Sequence, residues 1–282
     1  MNWIPRFGIV LFATLACAMP GLATETEFAT EIVQQTFDMT APPRGEVRKE
    51  QILEGEIPEV ETVHVAISGP ASFSDGADAD HALIVLFVAG KGKLEFQGKE
   101  HEVVPETIAM PISLDQLTLN VAAGDTLHFL LVRKSYNEQD HLDMPGYSNR
   151  NSGGIYFKKF SDCQAYKEAI KSPKTTSRTV LPNQYIPRVA MGTVETTGPD
   201  EVGAHRHPML DQMFLALAEN DVVVTADDTH ARFKEFWLLH IPLGSLHGVK
   251  AEPGTKLYYM WMDFFLTKEG EEWLKTHKPV TE

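Results

Sequence analysis

His205-Arg206-His207-Pro208-Met209-Leu210-Asp211-Gln212, joined further along by Pro242-Leu243-Gly244-Ser245-Leu246-His247, decides how this chain is read. In an extended strand, residues two apart face the same side, so His205 and His207 point together while Arg206 points out. The residues between this pair and His247 read as further short strands, and a sheet curling into a barrel returns His247 to the same interior. Three imidazoles gathered in this way are ligands for one divalent transition metal, and the spacing leaves its identity open among Fe, Mn, Zn and Ni.

Working outward, both flanks have the texture of antiparallel β structure. Short β-branched and aromatic runs are broken by Gly, Pro, Asn and Asp, as in Lys93–Phe96 before Gln97-Gly98 and Lys256–Phe265 after Glu252-Pro253-Gly254. The pattern changes over residues 135 to 185, which are more polar. There Ser161 is placed to cap a helix over Asp162 to Lys171, stopped by Ser172-Pro173, with Cys163 packed inside it. A second helix begins near Thr267, with Glu269, Glu271 and Glu272 in its first turn and Lys275 near its end, the charge order that the helix dipole favours.

The spacing resembles the cupin superfamily, whose first motif is G-x5-H-x-H-x4-E-x6-G and whose second is G-x5-P-x-G-x2-H-x3-N. His205, His207 and Gln212 fill the metal-ligand places of the first motif, while Pro242, Gly244 and His247 fill the second; the proline after the second histidine is similar to germins. Gln212 stands where the family has Glu, Glu219 replaces the closing Gly, Gly198 lies one residue too far upstream, and Ala251 replaces the final Asn. The resemblance extends to an internal repeat. Ala82–Leu94 parallels the strand and turn after the first motif, and Met110–Asn120 falls on the second in register, with Gln116 in the histidine place. Gly76, Asp78 and Leu83 then stand where His, His and Glu would be, so this half lacks a competent site. The resemblance thus implies an all-β bicupin of two jelly-roll barrels with a few bracing helices. A signal peptide (1–23) comes first, then an N-terminal cupin domain without metal (24–135), a linker with one helix (136–185), and a C-terminal cupin domain holding the metal site and a terminal helix (186–282).

Chemistry at such a site depends on Gln212. Three neutral imidazoles and a neutral amide leave the cation's double charge uncompensated, which favours an anionic or enolisable oxygen ligand. Gln212 serves either as a fourth ligand or as a hydrogen-bond donor behind the ligands. Asp211, Tyr259, Asp263, His240 and Arg188 are polar groups near the motifs, and Tyr259 and Asp263 are the candidate acid or base residues. Tyr259, Trp261 and Asp263 share one face of the last strand, whereas Tyr258, Met260 and Met262 share the other. The implied function is an exported metal-dependent cupin acting on a small oxygenated or carboxylate-containing substrate, as a dioxygenase, lyase or isomerase. The alternative is a non-catalytic module binding a sugar or other small ligand.

Composition narrows the partners. A formal net charge of −14 over 282 residues repels nucleic acid and anionic membrane surfaces. What remains is a small-molecule ligand or substrate and, at most, a second copy of the chain in a homodimer. Arg6, the apolar run Phe7–Ala18 and the small residues around Gly21-Leu22-Ala23 read as a secretory signal peptide, too short to span a membrane, so the expected location is periplasmic or secreted. Thr14-Leu15-Ala16-Cys17 resembles a lipoprotein signal less well. Cleavage after Ala23 leaves Cys163 without a disulfide partner.

Overall fold

The unbroken apolar run Ala82–Val88 is explained by where it lies. Leu83, Val85 and Phe87 point into one hydrophobic core, and Ala82, Ile84, Leu86 and Val88 into another, so both faces of this strand are buried. The computed structural model describes residues 31–147 and 154–274, with side chains as far as residue 271. The expected signal peptide, residues 1–23, lies outside the described residues.

In chain order the strands begin with β1 (Gln34–Thr36) and β2 (Val47–Gln51). The first barrel follows as β3 (Val60–Ser68), β4 (Ala71–Gly76), β5 (His81–Gly90), β6 (Gly92–Phe96), β7 (Lys99–Val103), β8 (Thr107–Pro111), β9 (Gln116–Val121) and β10 (Thr126–Ser135). The short helix α1 (Glu138–Asp143) comes next, then β11 (Ile155–Lys159), β12 (Gln164–Tyr166) and β13 (Thr176–Leu181). The second barrel is β14 (Val189–Thr197), β15 (Asp200–His205), β16 (Leu210–Ala216), β17 (Asp221–Ala226), β18 (Thr229–Lys234), β19 (Trp237–Ile241), β20 (His247–Ala251) and β21 (Lys256–Phe265), closed by helix α2 (Lys268–Leu274).

Two barrels of the same design result. The first packs the sheet β11-β8-β5-β10-β3-β2 against β4-β9-β6-β7, and the second packs β1-β19-β16-β21-β14-β13-β12 against β15-β20-β17-β18. Each is an eight-stranded jelly roll, β3–β10 and β14–β21, extended at its large sheet by added strands: β2 and β11 in the first, and β1, β12 and β13 in the second. The repeat reaches single residues. A Cβ on Gly69 would stand 1.9 Å from the carbonyl oxygen of Ala122, and one on Gly198 would stand 2.0 Å from that of Glu252. Gly198 is therefore fixed by a close backbone approach in its own barrel, just as Gly69 is in the other.

The division at 24–135, 136–185 and 186–282 does not follow the strand pairing. β1 pairs antiparallel with β19 of the second barrel, while β11, from the expected linker, pairs with β8 of the first. The helix expected over Asp162–Lys171 is absent. Phe160–Asp162 makes a single 3₁₀ turn, and Gln164–Tyr166 is a strand on β13. Pairing with β13 outweighs the local helical preference of Gln164-Ala165-Tyr166. Cys163 is buried at the end of that turn and donates to the Lys159 carbonyl oxygen at 3.3 Å. The helix that does form, α1, is held by an Asn137–Asp140 capping box. α2 begins where the acidic first turn places it.

The two large sheets face each other through a common core to which both barrels contribute, including Leu86, Met110, Val132, Met191, Met213 and Met260. Beside it lies a buried ion cluster. Arg188 donates through Nη2 to Glu59 and to Asp140, each at 2.7 Å, and through Nε to Asp140 at 2.7 Å. Lys134 reaches Glu59 at 2.8 Å. Glu59 and Arg188 each directly precede the first strand of a barrel, and both adopt left-handed backbone, φ 66° and 58°. They are equivalent residues of the repeat that meet each other across the interface. The cluster contains two cations and two anions, so its burial leaves no net charge; removing one member strands the rest.

Two stability predictions follow from these contacts. Arg188→Ala is expected to destabilise the fold by about 3–5 kcal/mol in urea denaturation, because it takes the bidentate cation away from the buried Asp140 carboxylate. The second concerns His64 and His128, buried on the outer face of the first barrel, where their rings approach to 3.3 Å beneath Phe37. Burial first, and the neighbouring His128 second, push the proton affinity of His64 down to about 4 from 6.5. Between those values the unfolded chain binds the extra proton, so stability falls as pH drops through that window. His64→Leu should reduce this acid loss by up to about 3 kcal/mol, read from urea midpoints at the two ends of the window.

Candidate metal centre

One irregularity of register builds the site. β15 pairs with β20 as Asp200↔Ala251 through Val202↔Val249, then slips by one residue so that His205 faces His247. The slip is a β-bulge at Gly203-Ala204, which re-aims the strand end into the barrel. The equivalent strands of the first barrel, β4 and β9, run without a slip, and Gly76 faces Gln116 in the place of the two histidines. His207 follows on the turn after β15, and Gln212 points inward from β16.

All three histidines are buried, and their ligand nitrogens lie within 4.8 Å of one another. The ring centroids of His205 and His247 stand 4.4 Å apart, and those of His205 and His207 4.8 Å. Nδ1 of His205 lies 2.7 Å from the Gly203 carbonyl oxygen, and Nδ1 of His247 lies 3.2 Å from that of Ser245. A carbonyl can only accept, so Nδ1 carries the proton in both rings and Nε2 keeps its lone pair.

Gln212 has divided roles. Its Nε2 donates to Asp263 Oδ1 at 2.6 Å, whereas its Oε1 is buried with no hydrogen-bond partner. A buried carbonyl oxygen without a donor is costly unless something else occupies it, and a cation beside the histidines would do so. The donor set therefore fits a divalent ion. Asp263 lies directly behind the amide. Burial pushes the Asp263 carboxyl up to about 7; the Gln212 hydrogen bond works the other way, Glu168 adds to the rise, and Lys171 opposes it.

His205, His207 and Gln212 line a cavity of about 330 Å³ together with Tyr259, Trp261 and Asp263. The face of β21 expected from period two is thus the interior one, and Tyr258, Met260 and Met262 lie in the inter-barrel core. Tyr259 packs on Phe214 at 4.5 Å between ring centroids, and burial drives its hydroxyl well above the ordinary range, so it acts as a donor. Arg206 is half exposed and bonds the Gly244 carbonyl oxygen, as its outward direction requires.

Three other polar candidates lie elsewhere. Asp211 and His240 occupy the opposite faces of β16 and β19, where His240 Nδ1 meets Glu56 at 3.0 Å and Nε2 stands 4.0 Å from Asp211. Arg188 belongs to the inter-barrel ion cluster. In the first barrel His81 pairs with Asp78 at 2.7 Å near the surface, and the interior is filled by Phe73, Phe87, Phe129 and Leu119. His205, His207 and His247 are the one group of three metal-ligand residues among the described residues.

The sequence reading missed Tyr166, Glu168 and Lys171, which line the cavity from the segment taken for a helix. Lys171 bridges to Val202, and Gly203 N–H donates to the Ile170 carbonyl oxygen at 2.8 Å, so this turn is pinned on the bulged strand. Lys171, Glu168 and Tyr166 sit close together around apolar Ile170, and that clustering was the only signal in the sequence.

No family model matches the chain, and no curated protein matches it. Solved structures do. A Pseudomonas aeruginosa protein named as glyoxylate-induced is 14% identical, with a TM-score of 0.64 over 83% of this chain and 89% of that one. A cupin 2 conserved barrel domain protein from Leptotrichia buccalis is 13% identical, with a TM-score of 0.58 over 86% and 98%. Oxalate decarboxylase of Lactobacillus farciminis, solved as a formate complex, is 10% identical, with a TM-score of 0.55 over 86% and 90%. The fold is the cupin fold, repeated twice.

Replacing both His205 and His207 by alanine should abolish stoichiometric metal in elemental analysis, because one imidazole and one amide hold a first-row ion poorly. His81→Ala should leave the metal content unchanged; loss of metal in that variant would point to a different site.

Proposed function

We propose that this chain is a metal-dependent enzyme of the cupin fold, acting on a small oxygenated or carboxylate-containing substrate in its second barrel. The observation that carries this reading is the donor set: the clustered His205, His207 and His247, two of them fixed with Nδ1 on a backbone carbonyl, beside a buried Gln212 amide oxygen without a hydrogen-bond donor, with His205, His207 and Gln212 opening onto one cavity. A bound divalent ion would supply Lewis-acid polarisation of a substrate oxygen there.

The remaining work belongs to this chain's own residues. Asp263 fixes the Gln212 amide so that its oxygen faces the histidines, and it places negative charge one bond removed from the ligands. Tyr259 keeps its proton and donates a hydrogen bond into the cavity. Phe214, Trp261 and Phe265 wall the space and keep water out. Titratable groups beside the donor set favour turnover over mere retention of a ligand, because an apolar lining alone would suffice for a binding module. The first barrel, with its apolar interior, serves as a structural partner, and the leader sequence sends the protein out of the cytoplasm.

Prepared without chelators or an affinity tag, the protein should carry one first-row divalent ion per chain. Its absence under these conditions would overturn the reading. Oxygen uptake with a panel of small carboxylates then separates a dioxygenase from a lyase or isomerase. Asp263→Asn should weaken metal affinity by about 10- to 100-fold although Asp263 is not itself a ligand, the effect expected of a group that orients one; a competition titration with a chelating dye measures it.

A further inference from the structure

Lys171 is the least expected residue of the cavity. Its side chain is only 7% exposed, and it lies on the wall that also holds His205, His207 and Asp263. Burial lowers its proton affinity, and Glu168 raises it again. The ammonium forms an ion pair with Glu168, three residues earlier, contacts Ser177 Oγ at 3.2 Å and stands 5.6 Å from the Tyr166 ring centroid. The backbone on either side is pinned to the bulged strand, so the Lys171 backbone is held in place beside the cavity.

The two partners are unequal. Glu168 is 30% exposed and can turn to solvent, whereas Lys171 is held inside. A brace between two segments does not require a buried ammonium, since an apolar side chain of similar volume commonly serves as well. The arrangement is a cation with a replaceable counter-ion. An incoming carboxylate that takes the place of Glu168 adds no net charge at this end of the cavity.

Resting on the metal-centre reading above, we infer that the cavity binds a small dicarboxylate, one carboxylate at the metal end and the other on Lys171 in place of Glu168. Size agrees with this class. A cavity of about 330 Å³ has room for a four- or five-carbon diacid.

Succinate and butyrate, alike in length but differing by one carboxylate, test the inference by calorimetry on zinc-loaded protein. Wild type should bind succinate more tightly than butyrate. Lys171→Met should lose about 10- to 100-fold in succinate affinity, the worth of a charged hydrogen bond, with butyrate nearly unchanged and zinc retained. Glu168→Gln, which frees the ammonium, should strengthen succinate binding, and Lys171→Arg should restore most of what Lys171→Met loses. Equal affinity for the two acids in wild type, or the same succinate affinity with and without Lys171 in protein that still holds zinc, would overturn the role of Lys171. Failure of wild type to bind either acid while holding zinc would overturn the dicarboxylate inference, whereas failure to hold zinc at all would overturn the metal-centre reading.

Discussion

Burial of both faces of the two large sheets is the constraint on which this molecule depends. A barrel standing alone would show water the outer faces of β5, β10, β16 and β21, which carry Ile84, Leu86, Leu130, Met213, Leu215 and Met260. Paired sheets hide these faces in one another and leave the small sheets, with their alternating patterns, on the outside. Where the apolar interface ends, the fold inserts charge in balance: Glu59 and Lys134 from one barrel, Arg188 from the other, and Asp140 from the helix between. Such a cluster adds little to stability over an apolar alternative, but it permits only one relative placement of the barrels.

Within that frame the three-histidine cluster is a local departure from a repeated plan. Equivalent strand ends carry Gly76 and Gln116 in one barrel and His205 and His247 in the other, and only the second pair is accompanied by a bulge. At the next strand, Gln212 is a direct cross-strand pair of Asp263 and donates to it. An amide between the carboxylate and the donor cluster transmits orientation while keeping the negative charge off the ligand shell.

Much of this was legible in the sequence because it rests on period-two patterns. The alternation of Tyr259, Trp261 and Asp263 with Tyr258, Met260 and Met262 separated the two faces of β21, leaving open which is interior, and the His205-x-His207 spacing with His247 picked out the three histidines that the fold brings together. What escaped notice depends on contacts between distant segments. Asp211 and His240 were near the motifs in sequence yet face the opposite side of their strands, a consequence of strand register that proximity alone does not reveal. Ser161–Lys171 has the composition of a helix and a plausible cap, but Gln164–Tyr166 finds β13 as a strand partner and Lys171 bridges to Val202. The Asn137–Asp140 capping box was readable and overlooked. Glu59 meeting Arg188 was not readable, because nothing in either neighbourhood announces a partner so far along the chain.

The pairing of β1 with β19 has a consequence for the order of events in folding. Gln34 sits opposite Leu239 and Thr36 opposite Trp237, and the His240 amide donates to the Val33 carbonyl oxygen at 2.9 Å. The earliest described strand of the chain is therefore a late arrival in the structure, waiting through synthesis of nearly everything between. The first barrel can close by pairing β3 with β10 and β4 with β9 while its own leading segment stays unpaired. The second barrel acquires its edge only when the oldest part of the chain folds back over it. Contacts of such long sequence separation slow a fold's completion and expose a sheet edge in the meantime. Once made, this clasp ties the start of the described chain to its far end, so that neither barrel can peel away without unzipping a strand that entered last.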